Sequence, residues 1–103
     1  MNRGDVWQVD LGLAAKVRPA VVLSRRPGDS DRALVTMVPH TTSVRGSAYE
    51  VVVRAGFLRE GAFDEQNLVT IPLAKLLRRL GQLNSRELGL VETAVCTWLG
   101  IER

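Results

Sequence analysis

Residues 18–24 read Arg-Pro-Ala-Val-Val-Leu-Ser, and this stretch decides the fold class. Its four central residues are apolar on both faces, which is typical of a buried central strand. Pro19 is tolerated because it stands at the beginning of the strand, outside the hydrogen-bonded interior. The turn-forming residues 25–31 then predict a hairpin to a second strand over residues 33–38, ended by Pro39.

Further short strands are predicted on both sides of this hairpin. Upstream, Trp7, Val9 and Leu11 alternate with polar residues at the period of two that indicates a half-buried strand. Downstream, the same criterion and the intervening turn residues predict strands over residues 49–54, 68–71 and 76–83.

The end of the chain changes to a helical period. Asn84 followed by Glu87 has the spacing of a capping box, and Gly100 is a suitable end. Between them, one apolar strip is formed by Leu88, Val91, Val95, Trp98 and Leu99, and a second by Leu90, Ala94 and Ile101. The second strip either faces another subunit or belongs to a helix that closes an open end of the sheet.

These elements predict one domain spanning residues 1–103, mainly β with a C-terminal helix. The expected architecture is a small antiparallel barrel of the SH3-like kind over about residues 3–83, followed by a helix over about residues 85–100. A chain of 103 residues with 46% hydrophobic residues can form one compact core.

Composition excludes several classes of site. One histidine and one cysteine cannot assemble a zinc site, and the single Cys96 cannot form an internal disulfide. Neither a Gly-rich phosphate loop nor the GxSxG motif of serine hydrolases occurs. The sequence has no apolar run of membrane-spanning length and no signal peptide. We therefore expect a soluble cytoplasmic protein with no metal, no cofactor and no membrane contact.

The charge is compatible with a nucleic-acid partner without requiring one. The net charge is only +3, but 12 of the 14 basic residues are arginines. Arginine presents a planar fork that matches phosphate oxygens in pairs, which lysine cannot do.

Strand pairing indicates where a site could lie. If the two strands pair around the 25–31 turn, Arg18 comes opposite about Pro39, next to His40 and Thr41. A guanidinium and a hydroxyl placed together can stabilise charge developing on a phosphodiester. An arginine that caps a strand end beside a Thr-rich turn would give the same pattern, so spacing alone leaves both interpretations open.

Five motifs resemble the MazF/PemK toxin endoribonucleases of type II toxin–antitoxin systems. They are RGDVW with VDL at 3–11, RPAVVLS at 18–24, VPHTTS at 38–43, FDEQ at 63–66 and RLGQL at 79–83. Each motif alone is a weak signal, but together they cover nearly the whole chain in the expected order.

The resemblance implies an SH3-like barrel, a homodimer, and metal- and ribosome-independent cleavage of single-stranded RNA at short motifs. In such enzymes the 2′-hydroxyl of the RNA attacks the adjacent phosphorus, which leaves a 2′,3′-cyclic phosphate and a 5′-hydroxyl. It also implies a cognate antitoxin, whose disordered acidic tail covers the RNA groove.

The same resemblance assigns residues. Arg18 and Thr41 match the catalytic arginine and threonine, and Glu65 lies where some members have a carboxylate proposed as general base. His40 or water would protonate the leaving oxygen, because arginine is a poor acid. RNA contacts are expected from Lys16, Ser24, Arg25, His40, Thr42, Ser43, Arg45 and Gln66.

We expect two departures from the family pattern to affect which RNA bases are recognised and how fast the RNA is cleaved. Only residues 12–17 precede the Arg-Pro dipeptide where many members have a longer loop, and Leu68 replaces a frequent Arg or Lys. Phe57 and Phe63 are the candidates for stacking a base. Two other functions stay open: a CcdB-like toxin that traps DNA gyrase, and a non-catalytic SH3-like module that binds RNA or protein.

Overall fold

The computed structural model describes residues 1–12 and 16–102, so residues 13–15 of the short first loop lie outside the described part. Within it, strands and one helix follow in this order: β1 Asp5–Asp10, β2 Val17–Val22, β3 Leu34–Thr41, β4 Glu50–Val51, β5 Ala62–Asp64, β6 Val69–Pro72, β7 Leu76–Gln82 and α1 Ser85–Leu99. Two 3-10 turns lie at Glu65–Asn67 and Leu73–Lys75. None of the described helical residues forms a helix long and apolar enough to cross a membrane.

The strands form an antiparallel sheet in the order β4-β5-β3-β2-β1-β7, with β6 pairing with β3. As predicted, β2 is central: Val21 pairs with Val6 of β1 on one side and with Val38 of β3 on the other. No ladder between β4 and β7 joins the described residues. The predicted mainly-β fold with a C-terminal helix is confirmed, and the barrel is open along one seam.

The strand predicted to end at Pro39 continues to Thr41 instead. Residues 34–37 of β3 pair with β6, whereas His40 and Thr41 pair with β5. Pro39 lies between these two ladders, so its missing N–H removes no hydrogen bond from either of them. The proline marks a change of partner rather than the end of a strand.

The register of the central hairpin also differs from the expectation. Ala20, not Arg18, lies opposite Pro39. The hairpin closes at Thr36, whose carbonyl accepts hydrogen bonds from the N–H groups of Leu23 (2.9 Å) and Ser24 (3.3 Å). Continued by two residues, the observed register brings Arg18 opposite Thr41.

Apolar clusters on both faces of the sheet explain why residues 20–23 of the central strand region are all apolar. Val21 belongs to one cluster, which β-strand residues form with Val91 and Val95 of α1. Ala20 and Val22 point to the other face, where they join Val9, Met37 and Ile71, with Trp7 and Leu11 packed beside them. Each buried valine contributes about 1.5–3 kcal/mol relative to an exposed one. β2 is therefore held from both sides.

Helix α1 has the predicted ends. The Asn84 side chain accepts a hydrogen bond from Glu87 N, the Glu87 carboxylate accepts one from Asn84 N, and Gly100 ends the helix in a left-handed conformation. Val91, Ala94 and Val95 are buried against the sheet. Ala94 therefore does not belong to an outward strip, whereas Leu90, Trp98, Leu99 and Ile101 are exposed by 43–57%.

Two short strands differ from the prediction. The strand expected over residues 49–54 is reduced to Glu50–Val51, and β5 arises in a segment for which no strand was predicted. They pair with each other, Glu50 with Asp64 and Val51 with Phe63, and β5 also pairs with the end of β3. These strand pairings join segments that are distant in sequence, so no local sequence pattern predicts them.

Candidate active site

Arg18 and Thr41 lie on the neighbouring strands β2 and β3. Arg18 stands near the start of β2 opposite Val9 of β1, and Thr41 ends β3 opposite Ala62 of β5. Three neighbouring cavities of about 490, 400 and 530 Å³ open there. Arg18 and Thr41 are the two residues that line all three, so a ligand crossing from one cavity to another passes this pair.

The Thr41 side chain is positioned by local hydrogen bonding and close packing. Its Oγ1 accepts a hydrogen bond from Ser43 N at 3.0 Å. A hydroxyl has one donor and two acceptor positions, so its O–H remains able to donate to a ligand. Gly61 approaches so closely that an added Cβ would collide with the Thr41 carbonyl and lie 2.8 Å from His40 Cε1. Only glycine permits this approach at the end of β3.

His40 also lines the first cavity but is almost completely buried, with 3% exposed. Its ring lies edge-on to Phe63 at 5.2 Å, and Nε2 has no hydrogen-bond partner among the described residues. Burial lowers the pKa of His40 below its ordinary value, because the charged imidazolium loses solvation. A neutral imidazole is a poor proton donor at pH 7, so the geometry favours water over His40 as the acid.

Glu65 is not brought to this surface. Its side chain is fully buried, and the described structure gives neither carboxyl oxygen a hydrogen-bond partner. Desolvation, with smaller contributions from the charges of Asp64 and Glu50, raises the pKa of Glu65 to about 8. Glu65 lines none of the three cavities, and with a pKa of about 8 its carboxyl is mostly protonated at pH 7. Its expected role as general base therefore disagrees with its placement.

The neighbours of Glu65 do face the cavities. Asp64 lines the second and third cavities together with Arg18 and Thr41. Gln66 lines the third, as expected of an RNA-binding residue. Of the two acidic residues in the FDEQ motif, Asp64 therefore faces the cavities and Glu65 does not. The sequence alone could not distinguish them.

The remaining expected contact residues divide into two groups. Thr42 and Ser43 line the first cavity, and Arg45 lines the third. Three others line none of the three cavities: Lys16, Ser24 and Arg25. Ser24 follows the far end of β2, about 20 Å from Arg18 at the ordinary rise of a strand. Its Oγ accepts a hydrogen bond from Thr36 N at 2.9 Å and so closes the hairpin.

Arg59 and Arg78 line the first cavity although the sequence did not predict them, and they join Phe57, which was predicted as a candidate for stacking a base. Phe57 and Arg59 follow β4 in a loop, and Arg78 lies on β7 opposite Gln8. They line the first cavity with Arg18, and its described lining residues include no carboxylate. Only the tertiary fold brings the three residues together, so sequence spacing gave no signal for Arg59 or Arg78.

The third cavity has a different character, because it contains both signs of charge. Arg45 and Gln66 face Asp64 and Glu50 there. Glu50 accepts hydrogen bonds from the N–H groups of Arg45 and Ser47, and these bonds lower the pKa of Glu50. Trp98 of α1 forms part of the same wall. Across residues 1–12 and 16–102, no three His, Cys, Asp or Glu side chains are grouped so as to hold a metal ion.

The family model of the PemK-like, MazF-like toxins of type II toxin–antitoxin systems matches residues 2–99. The chain belongs to this family. A curated Mycobacterium tuberculosis protein named "Probable endoribonuclease MazF5" is 32% identical over 102 residues, which cover 96% of this chain and 89% of that protein. The match over almost the full length confirms the resemblance inferred from the five motifs.

Solved MazF structures have the same fold. A mycobacterial endoribonuclease in complex with its cognate antitoxin superposes with a TM-score of 0.84 at 25% identity, covering 100% of this chain and 98% of that one. The M. tuberculosis toxin MazF-mt6 gives a TM-score of 0.82 at 29% identity, covering 96% of this chain and 99% of that one. The MazF-like toxin described here thus has the fold of the family along its whole length.

Proposed function

We propose that this MazF-like toxin endoribonuclease cleaves single-stranded RNA at short motifs without a metal or the ribosome, using Arg18 and Thr41 as catalytic residues. The observation that carries the assignment is the position of these two side chains, which alone line all three described cavities. A strand of RNA that runs through the cavities would place one phosphodiester beside both residues. The proposed substrate, messenger RNA, would be met in the cytoplasm.

The proposed reaction uses the RNA's own nucleophile. The 2′-oxygen attacks the adjacent phosphorus, the bond from phosphorus to the 5′-oxygen breaks, and a 2′,3′-cyclic phosphate and a 5′-hydroxyl result. The Arg18 guanidinium neutralises charge growing on the non-bridging oxygens, and the Thr41 hydroxyl donates a further hydrogen bond to them. Removing one such donor costs roughly 10²–10³-fold in rate.

A carboxylate at the cavity surface can accept the 2′-hydroxyl proton. Asp64 fits this role better than Glu65, because it lines two cavities with Arg18 and Thr41 while Glu65 is buried. An ionised carboxylate at the surface can act as a base, whereas a carboxyl with a pKa of about 8 is mostly protonated at pH 7. Water protonates the leaving 5′-oxygen in this scheme.

The exposed end of α1 supports a homodimer. Trp98, Leu99 and Ile101 are exposed apolar side chains near the end of α1, and a second copy would cover them. Because Trp98 also lines the third cavity, the partner would border the RNA path. Leu99→Lys should therefore shift the sedimentation of the protein toward the monomer, and an unchanged sedimentation coefficient would contradict this interface.

The arginine-lined first cavity supports a cognate antitoxin as the second partner. An acidic, flexible segment would compete with RNA for Arg18 and Arg78, since both ligands offer oxygen anions to the same guanidinium groups. Inhibition by such a segment should weaken as salt is raised, because salt screens exposed charges.

The deciding experiment incubates the purified toxin with mixed single-stranded RNA in EDTA and sequences the cut ends. Discrete cuts with 5′-hydroxyl ends are expected, and Arg18→Ala should abolish them without unfolding the protein. Arg86→Ala is the matched control, because Arg86 lies on the exposed side of α1 and lines none of the cavities. Cleavage that requires a divalent metal, or full activity of Arg18→Ala, would refute the mechanism. RNA binding without cleavage would instead indicate a binding module.

A further inference from the structure

We propose that the first cavity is a nucleotide subsite in which the ring of Phe57 stacks a base of the bound RNA. In this subsite Arg59 and Arg78 hold the adjoining phosphates. The proposal rests on the proposed ribonuclease function and assigns Phe57 as a residue that holds one base of the RNA near the cut.

The first observation is the position of the Phe57 ring. Phe57 is half-buried and lines the same cavity as Arg18 and Thr41. One side of the ring packs on Gly81, where an added Cβ would lie 2.5 Å from Phe57 Cδ1. The ring therefore rests on the backbone of β7 and packs against the core cluster that contains Val21, while part of the side chain lines the cavity.

The other aromatic rings are differently placed. Phe63, the second sequence-based candidate for stacking, is completely buried and contacts His40. Tyr49 packs against Trp98 at 5.3 Å, and Trp98 lies in the third cavity, whose walls carry both signs of charge. Among the lining residues of the first cavity, Phe57 is the one with a phenyl or indole ring.

The second observation is the charge of the cavity wall. Arg18, Arg59 and Arg78 line it without a carboxylate among the described lining residues, whereas each of the other two cavities contains Asp64. Arg59 and Arg78 are exposed, and no salt bridge is described for either of them. A guanidinium that is not neutralised by the protein can bind a phosphate in pairs of hydrogen bonds.

Together the ring and the arginines fit a nucleotide better than an acidic peptide. A nucleotide offers both a flat π-face and a phosphate, and stacking on an aromatic side chain tolerates every base to some degree. A carboxylate-rich peptide would use the arginines and leave Phe57 without a function. The cavity volume of about 490 Å³ lies within the range of small-ligand pockets.

The test measures cleavage of RNA oligonucleotides that contain one mapped cut site and a single abasic nucleotide at successive positions. With the wild-type toxin, one position near the cut should raise KM by roughly 5- to 150-fold, which corresponds to the loss of one stacked base. In Phe57→Leu, the intact RNA should show the raised KM with an unchanged kcat. In this variant the abasic nucleotide should raise KM no further, because the aromatic ring on which the base would stack is already absent.

Stability controls keep the result interpretable. Phe57→Leu keeps an apolar side chain against the core, and Phe57→Tyr should restore the KM because it restores the ring. A fluorescent 2-aminopurine at the identified position, in 2′-O-methyl RNA that cannot be cleaved, should be quenched on binding the wild type but not Phe57→Leu. If no position is coupled to Phe57, or if the quenching is the same in both proteins, the subsite is refuted.

The arginines are tested by the salt dependence of RNA binding. Each phosphate contact to single-stranded RNA adds a slope of about 0.7 to the dependence of log affinity on log salt. Arg59→Gln and Arg78→Gln should each lower the slope by about that amount, and Arg86→Gln should leave it unchanged. A wild-type toxin that cleaves no RNA would refute the proposed function itself, whereas cleavage with unaltered slopes refutes only the arginine contacts of the subsite.

Discussion

Replacing Glu65 by glutamine is expected to stabilise the protein at neutral and alkaline pH. Desolvation, with smaller effects of Asp64 and Glu50, raises the pKa of Glu65 from 4.5 to about 8 in the folded protein. In the unfolded chain the carboxyl titrates near its ordinary pKa, so ionisation favours unfolding. The stability due to the protonated carboxyl is complete below about pH 4.5 and is lost as the pH rises to about 8.

The size of the effect follows from this pKa shift. A shift from 4.5 to about 8 corresponds to about 5 kcal/mol above pH 8 and about 3 kcal/mol at pH 7. Because Glu65 is fully buried, solvent screens this penalty little, so we expect about 3 kcal/mol at pH 7. Glutamine has the shape of a protonated glutamate but no titrating group, so Glu65→Gln keeps the packing and removes this penalty.

Urea unfolding of both proteins at pH 5, 7 and 9 measures the difference in unfolding free energy. The advantage of Glu65→Gln should be small at pH 5 and grow with pH. Glu60→Gln, at an exposed position, is the control for removing one acidic charge and should show no such growth. A difference between Glu65→Gln and wild type that is the same at all three pH values would refute the buried, protonated state. RNA cleavage by Glu65→Gln should persist, whereas Asp64→Asn should lose most of it.

Three further substitutions test the site and its support. Thr41→Val should reduce kcat roughly 10²–10³-fold in a cleavage assay while changing the unfolding free energy by about 1 kcal/mol, and an unchanged kcat would remove Thr41 from the mechanism. Gly61→Ala should lower the unfolding free energy, measured by urea denaturation, by about 1–3 kcal/mol and should also reduce kcat, because the added Cβ displaces the end of β3. A variant that is as stable and as active as the wild type would contradict this close packing. Asn84→Ala should cost about 1 kcal/mol through loss of the capping box and leave the rate of RNA cleavage unchanged; a slower rate would mean that the helix end acts on the site.

Local sequence patterns predicted those elements whose hydrogen-bond partners lie close in sequence, or whose side chains are apolar on both faces. The doubly apolar 20–23 stretch required a central strand, and Asn84 with Glu87 fixed the beginning of the helix. The register of the hairpin was wrong by two residues, because the Ser24 side chain closes the loop at Thr36. Strand β5 was missed because its stability comes from pairing with β3 and β4.

The candidate site was also predicted only in part. Arg18 and Thr41 lie together because both belong to the central hairpin, whose pairing the sequence indicates. The exposed acid and the buried acid of the Asp64–Glu65 pair could not be distinguished, since a 3-10 turn beginning at Glu65 decides which one points inward. Phe57 was a sequence-based candidate for stacking a base, but Arg59 in the same loop and Arg78 on β7 come together with it only in the tertiary structure.

The placement of Arg18 and Thr41 on paired strands separates chemistry from recognition. Both residues extend the ladder that holds Ala20, Val21 and Val22, which are fully buried. The residues around them that would read the RNA come largely from loops, which tolerate exchange far better than buried strands do. Grafting a different 55–60 loop, with Gly61 kept, should therefore redirect the toxin to another RNA sequence while the cleavage machinery stays in place, which makes this small barrel a scaffold for reprogrammable RNA cutting.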